Sequence, residues 1–394
     1  MNKKLIPLTL GGFTLGMAEF MMMGVLPDVS KSLKISIPSA GHLISAYALG
    51  VVIGAPLMVG LFSKLSSKKV LIGLMLAFAL FNALFAISPN YNILLVSRVL
   101  SGLPHGAFFG IGAVVASKLA EPGKEARAVS MMFAGLTIAN IFGVPLGTYI
   151  GHTFSWRISF VIVAAFGLTT ALCAKLWLPA TENSNQGSFK DSLKVFTTIN
   201  PWLIIGISAI GTGGMFAWIS YIAPLMTEVA GYGKNKITFI MIIAGLGMAL
   251  GNFIGGRLAD KFSPLKTTTL LLSTMIVCLL IIAEISQYKI PALIMTFITG
   301  AVAFAVISPM QMLMINAAKG SEMIASAVLQ ATANFGNAIG AFLGGIPIAM
   351  GYGFTSPEYV GAALALIGVG FCSILMIRQL PAEKLKISQT GVLN

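Results

Sequence analysis

The sequence predicts an all-α membrane protein of twelve transmembrane helices, arranged as two pseudo-symmetric bundles of six with both termini in the cytoplasm. Three observations carry this expectation. Of 394 residues, 57% are hydrophobic and only 9% charged, where a soluble globular domain carries roughly 25% charged residues. Apolar runs of about 20 residues, the length that crosses a roughly 30 Å hydrocarbon core, recur along the chain. The second half also repeats landmarks of the first at a nearly constant offset.

The runs fall at 5–26, 40–62, 70–88, 92–116, 128–151, 157–178, 200–227, 237–257, 267–286, 290–317, 325–350 and 358–378. The opening MNKKLIPLTL has the look of a signal peptide, but its apolar run continues to Leu26 without a clear cleavage site, so it is taken as the first span. Most connections are short. The exception, PATENSNQGSFKDSLKVFTTI at 179–199, is polar and divides the chain into an N-terminal bundle (1–178), this cytoplasmic linker, a C-terminal bundle (200–378) and a tail (379–394). An outer-membrane barrel is excluded, because its strands alternate apolar and polar residues over about ten positions. The 43 glycines suit helices that pack closely, and Gly102, Gly106 and Gly110, like Gly247, Gly251 and Gly255, recur every four residues on one helix face.

Orientation comes from charge placement. With Lys3 and Lys4 inside, most of the 25 basic residues fall in cytoplasmic segments, among them Lys64, Lys68, Lys69, Lys124, Arg127, Lys190, Arg257, Lys261, Lys266 and Arg378. The opposite side keeps Lys31, Lys34, Arg157, Lys234, Lys236 and Lys289. This is the positive-inside asymmetry, so the net charge of +13 reports topology and implies no nucleic-acid partner. The bilayer and a small-molecule substrate are the partners expected, for a monomer. Cys173, Cys278 and Cys372 lie in separate apolar runs without metal-ligand spacing and read as small core residues. No metal or cofactor is implied, protons apart.

The internal repeat is legible residue by residue. IANIFGVPLG (138–147) and FGNAIGAFLG (335–344) superpose at an offset of 197, which lays Asn140 on Asn337, Gly143 on Gly340 and Gly147 on Gly344; an offset of 196 lays Gly60 on Gly256. Parallel duplicated halves, related by an axis along the membrane normal and holding a substrate site between them, are a transporter architecture.

Specific motifs then resemble a known family. GGRLADKFSPLK (255–266) is similar to the G-x-L-A-D-[RK] loop of the major facilitator superfamily, with Gly256, Leu258, Ala259, Asp260 and Lys261 in register. The resemblance implies a conformational latch at Gly256, Asp260 and Lys261. The equivalent first-half stretch, GLFSKLSSKK (60–69), keeps Gly60, Lys68 and Lys69 but has Lys64 where the acid belongs. RVLSGLPHGAFFG (98–110) resembles the fourth-helix motif of the drug:proton antiporter branch, GVPLG (143–147) its fifth-helix antiporter motif at Gly143, Pro145 and Gly147, and SWRISF (155–160) its entry to helix six. With AEFMMMGVLP and ISAYALGVVIGAP in the first two spans, the chain is most similar to bacterial sugar- and arabinose-efflux-like members. On the residues themselves, the helix-five glycines and proline serve either packing or local bending.

The ionisable residues inside the spans are few. Glu19 sits seven residues below Leu26, about 10 Å at 1.5 Å per residue, and an acid at the bilayer centre costs about 2.5–3.5 kcal/mol on insertion scales. Arg98 on the fourth span lies at a similar depth, and His105 shares its helix face about 10 Å deeper. In the resembled fold helices one and four line the central cavity, so the three groups are expected to face one another. Burial and a neighbouring guanidinium act in opposite senses on a carboxyl group, so Glu19 either exchanges a proton during turnover or holds a permanent ion pair with Arg98. An imidazole titrates near pH 6.5 when unperturbed, so His105 is either a second proton carrier or a hydrogen-bonded core side chain. His42 and His152 lie near outer helix ends and read as interfacial, as do Glu228 and Glu284.

In the second half Gln330, Asn334 and Asn337 form one polar stripe on the eleventh span, and Asn140 and Gln311 add amides. These suit hydroxyl-bearing substrates, with Met215, Trp218 and Tyr221 as an apolar and aromatic wall; interhelical hydrogen bonding is the alternative role for each amide. The expected activity is proton-coupled export by alternating access of sugars or small amphipathic, drug-like compounds, without enzymatic chemistry. GLGMALG (245–251) lies within an apolar helix and lacks the GK[ST] ending of a nucleotide loop, and neither G-x-S-x-G nor H-E-x-x-H occurs. Proton-coupled uptake by the same fold is the rival, a membrane sensor a more distant one.

Overall fold

The computed structural model describes residues 3–62, 65–121, 125–179, 193–318 and 321–390, and among these the chain is helical throughout, with turns between helices. The first half comprises α1 (Ile6–Gly24), the short α2 (Leu26–Leu33), α3 (Ile37–Leu61), α4 (Ser67–Ile87), α5 (Tyr91–Lys118), α6 (Glu125–Ile138), α7 (Val144–Ile150) and α8 (Trp156–Trp177). The second comprises α9 (Ile199–Gly206), α10 (Gly213–Ser220), α11 (Ile237–Lys261), α12 (Pro264–Ile285), α13 (Lys289–Ala305), α14 (Ile307–Ala317), α15 (Glu322–Ala349) and α16 (Ser356–Thr390). Ten stretches among the described residues are long and apolar enough to cross a membrane. The helix α16 extends to Thr390, through residues that the sequence assigns to the tail.

One of the ten, Ala128–Trp177, is 50 residues long, which as a straight helix would reach about 75 Å, more than twice a bilayer core. It is broken at Ser155, whose backbone is extended (φ −163°, ψ 137°) and whose hydroxyl accepts from the Arg157 amide to start α8. Within the same stretch a π-helical turn, Ala139–Gly143, separates α6 from α7. Pro145 explains it: the ring has no N–H to give and crowds the carbonyl four residues back, so the ladder widens by one residue just before it. Pro309, which has no N–H to give to the Ala305 carbonyl, instead accompanies a single-residue break at Val306 between α13 and α14. The bend expected around Gly143, Pro145 and Gly147 is therefore a built-in widening of the helix.

Glycine decides which helices approach most closely. On α5, a Cβ at Gly102 would overlap the Tyr47 carbonyl of α3; on α11, one at Gly251 would overlap the Ala301 carbonyl of α13. The first contact joins the second and fourth apolar runs, the other the eighth and tenth, so the repeat in sequence is also a repeat in packing. Large apolar side chains such as Leu80, Ile87, Phe142, Leu270 and Ile377 are exposed on the outside of the helical array, where lipid and not water is their solvent.

The halves meet along two seams. In one, the first turns of α3 lie against α15: Ser45 donates to the Ala338 carbonyl at 3.0 Å and the His42 ring lies 5.5 Å from that of Phe342. In the other, the π-helical turn of the fifth run lies against α11, so closely that a Cβ at Gly245 would overlap the Asn140 carbonyl.

Candidate functional site

The buried polar groups converge where these seams meet α1 and α5. Glu19 is 5% exposed and Arg98, His105 and Asn337 are fully buried. Asn337 donates from Nδ2 to Glu19 Oε1 at 2.9 Å, a bond between α1 of one half and α15 of the other. Arg98 does not pair directly with Glu19: no N···O contact within 4.0 Å joins them. Instead its Nε donates to the Leu43 carbonyl at 3.1 Å and Nη1 to the Ala18 carbonyl at 3.5 Å, leaving Nη2 without a partner. The guanidinium sits in an aromatic cage, 4.2 Å from the Tyr47 ring centre and 5.4 and 5.6 Å from those of Phe85 and Phe160. Such a cage holds a desolvated cation through ring quadrupoles without neutralising it, so an unspent positive charge stays beside α1.

His105 reaches the others through the same tyrosine. The Tyr47 hydroxyl and His105 Nδ1 are 2.9 Å apart, while Nε2 has no partner. Arg98 and His105, about 10 Å apart in depth by residue counting, are thus connected by a tyrosine whose ring carries Arg98 and whose hydroxyl holds His105. Tyr47 is buried. It was missed in the sequence because it sits inside the apolar run ISAYALGVVIG, where a tyrosine carries no charge to mark it.

The substrate candidates divide into groups with spare valences and groups already committed. Asn140 Nδ2, Asn334 Oδ1, Asn337 Oδ1 and Trp218 Nε1 are buried without partners. Asn334 otherwise donates within its own helix, to the Gln330 carbonyl at 3.1 Å. Tyr221 donates its hydroxyl to the Ala341 carbonyl at 2.6 Å, tying the end of α10 to α15. Gln330 is half-buried on the same helix as Asn334, and Gln311 lies half-buried on α14 with its own interactions. Between the halves a cavity of about 10 Å³, room for roughly one water molecule, is lined by Phe20, Asn140, Val144, Ile219, Met241 and Gly245. That is far below the roughly 300–1,000 Å³ of small-molecule sites, so the halves leave no room for cargo at this cavity in this conformation.

Other candidates fall elsewhere. Gly256 and Lys261 belong to the last turns of α11, with the Lys261 ammonium 5.4 Å from the Phe262 ring; the side chain of Asp260 lies outside the described residues, as does Lys64. The latch stretch is therefore helical to Lys261 instead of starting a loop after residue 257. His152 Nδ1 lies 2.5 Å from Asp28 Oδ2 of α2, and His42 Nδ1 lies 3.2 Å from the Tyr91 hydroxyl. Glu284 accepts from the exposed Tyr359 at 2.5 Å. A second buried acid, Glu358, was not singled out in the sequence because it marks the first position of the last apolar run, where hydropathy does not distinguish a buried from an interfacial side chain.

Comparison with known proteins places this geometry. Residues 8–325 match the family described as Major Facilitator Superfamily. The chain is 40% identical to AraJ of Escherichia coli (strain K12), over 96% of this chain and 95% of that one. It is 38% identical to the inner membrane transport protein YdhP of the same organism, over 92% and 93% respectively. The fold is similar to the crystal structure of a D-xylose-proton symporter, with a TM-score of 0.75, 15% identity, and 94% of this chain and 96% of that one covered. The chain belongs to the major facilitator superfamily, and is a multi-pass transporter of the bacterial inner membrane and not an enzyme.

Proposed function

We propose that the protein is a proton-coupled antiporter that exports sugars or small amphipathic compounds by alternating access, with Glu19 as its principal proton carrier. It has twelve crossings in two six-helix halves: the break at Ser155 makes two of the stretch Ala128–Trp177, and α15, at 28 residues, adds one more to the ten. Both termini are cytoplasmic by the distribution of Lys and Arg. In that orientation Ser45, Ala338, His42 and Phe342 seal the periplasmic side.

The observation that carries the reading is the 2.9 Å hydrogen bond from Asn337 to Glu19. It links the two halves through an acid that belongs to the first, so any conformation that separates α1 from α15 must break it. Glu19 then has Arg98 nearby, whose Nη2 is already a spare donor. Protonation of Glu19 removes its attraction to that guanidinium, and deprotonation restores it, so the charge state biases which half Glu19 engages. His105, joined to the same tyrosine that carries Arg98, is a second carrier on the path towards the cytoplasm. Asn140, Trp218, Asn334 and Gln330, with Gln311 and Tyr221 behind them, form the cargo wall once the cleft widens. The helix-five resemblance at Gly143, Pro145 and Gly147 supports export over uptake.

The test uses everted membrane vesicles. With the interior acidified, an antiporter accumulates its cargo, and a symporter accumulates it only in right-side-out vesicles with acid outside. Candidate sugars and drugs are screened by proton release on addition to purified protein. Glu19→Gln retains binding and loses gradient-driven accumulation; gradient-driven transport at the wild-type rate in both Glu19→Gln and His105→Ala would remove these residues from the mechanism.

A further inference from the structure

Glu358, in the first turn of α16, stands apart from the cluster around Glu19. Its side chain is fully buried and no other residue donates to either carboxyl oxygen; only its own backbone N–H, in the first turn of α16, lies against it. Its surroundings follow from the register of α16 against α10 and the π-helical turn Ile207–Gly211 that precedes it. Gly368 meets Gly211, Ala365 meets Gly214, and Gly361 meets Gly214 and Ala217. Continued by one antiparallel turn, this register sets Glu358 level with Ser220 and Tyr221; in agreement, Pro357 and Tyr221 both lie against Gly344. Ser220 is itself fully buried with a hydroxyl that has no partner.

The titratable groups on the packed elements do not compensate a charge here. Tyr221 is committed to the Ala341 carbonyl. Glu284 at the end of α12 is engaged with Tyr359, which points the other way, into an exposed position. No basic group among the described residues comes within 4.0 Å of Glu358. An ionised carboxylate without counter-ion costs several kcal/mol to bury, more than the roughly 0.3–1 kcal/mol that the first turn of a helix returns to an anion, whereas a neutral carboxylic acid has one O–H to give and costs far less. Ser220 Oγ offers an acceptor at the same level.

We propose that Glu358 is a second proton-binding site of this transporter, carried as a neutral carboxylic acid between α10, α12 and α16. Release breaks its O–H bond, passes the proton to water and leaves a carboxylate, which needs water or a cation in place of the present dry packing. Since the next residue, Tyr359, is 46% exposed, a small parting of α16 from α10 suffices to admit water. That the proton is exchanged during turnover rests on the proton-coupled reading above; that the site holds a proton does not.

Infrared difference spectroscopy on the full-length protein tests the site directly. The wild type is expected to show the carbonyl stretch of a protonated acid in an apolar setting, with the small downshift that deuterium exchange causes. Glu358→Gln removes this band, Glu358→Asp moves it, and Glu19→Gln leaves it in place. A carboxylic-acid spectrum unchanged in Glu358→Gln overturns the proposal. So does a wild type without the band whose carboxylate stretch responds to sodium, since the site would then hold a cation. Protons moved per cargo molecule in vesicles test the exchange: the number falls in Glu358→Gln, and an unchanged number overturns the part in turnover. If Glu19→Gln leaves coupling intact while the Glu358 band behaves as stated, the reading of Glu19 fails alone. If Glu19→Gln abolishes coupling and Glu358→Gln alters neither band nor proton number, only the present inference fails.

Discussion

Replacing Asn337 by alanine isolates the contact on which alternation is argued to depend. The wild-type amide donates to Glu19 at 2.9 Å across the two halves, in a fully buried setting. A hydrogen bond to a charged group is worth about 1.5–3 kcal/mol net, and every 1.4 kcal/mol is tenfold in a population. Because the bond exists only while α1 and α15 are together, its loss weakens the closed arrangement alone, by about ten- to a hundredfold relative to an arrangement in which they part. The assay is pulsed electron–electron distance measurement between spin labels at Ser36, on the approach to α3, and Tyr352, after α15, both exposed. Asn337→Ala shifts the distribution towards longer separations; Asn334→Ala, whose amide bonds only within its own helix, does not. A distribution for Asn337→Ala that coincides with the wild type, at equal protein stability, would refute the claim that this bond biases the two states.

Three further perturbations address packing and the cage. Gly251→Val drives side-chain atoms into the Ala301 carbonyl of α13 and is expected to destabilise the protein by about 1–3 kcal/mol or more, read as a drop in the unfolding temperature in detergent; an unchanged temperature would mean that α11 and α13 are not held at this distance. Tyr47→Phe removes the hydroxyl held at 2.9 Å by His105 but keeps the ring 4.2 Å from Arg98, so it costs about 0.5–1.5 kcal/mol, and Tyr47→Ala costs at least about 2 kcal/mol more through the lost ring and cage. Equal unfolding midpoints for the two variants would contradict the cage. Pro145→Ala returns an N–H to the fifth run and lets the turn Ala139–Gly143 tighten to an α-helix; it is expected to raise stability by about 1 kcal/mol and slow transport several-fold, and a destabilised variant with wild-type transport would contradict the bend's role.

Several of the apolar runs coincide closely with single helices because the signal is strong and local: each run must bury its own backbone polar groups within lipid, and a helix is the element that does so alone. The run at 40–62 becomes Ile37–Leu61, that at 237–257 becomes Ile237–Lys261, and that at 267–286 becomes Pro264–Ile285. Glycine spacing was equally legible, since Gly102 and Gly251 lie on faces where any Cβ meets a carbonyl of the facing helix. The presence of a buried acid at position 19 could also be read directly, from one charge in an apolar run.

What residue counting could not supply was rotation and partner. Depth along a helix follows from 1.5 Å per residue, so Glu19 and Arg98 share a level, yet the direction of each side chain depends on how α1, α3, α5 and α15 turn against one another. Only the packed structure gives Glu19 to Asn337, 318 positions away, and seats Arg98 on Tyr47. Only packing, too, sends Glu358 inward and Tyr359 outward from adjacent positions of one helix end. Hydropathy is a sum over a window and places a segment in the bilayer, whereas a hydrogen bond is decided by fractions of an ångström between segments distant in the chain. The composition thus determines that this chain crosses the membrane and where, and the tertiary structure alone determines which buried groups meet.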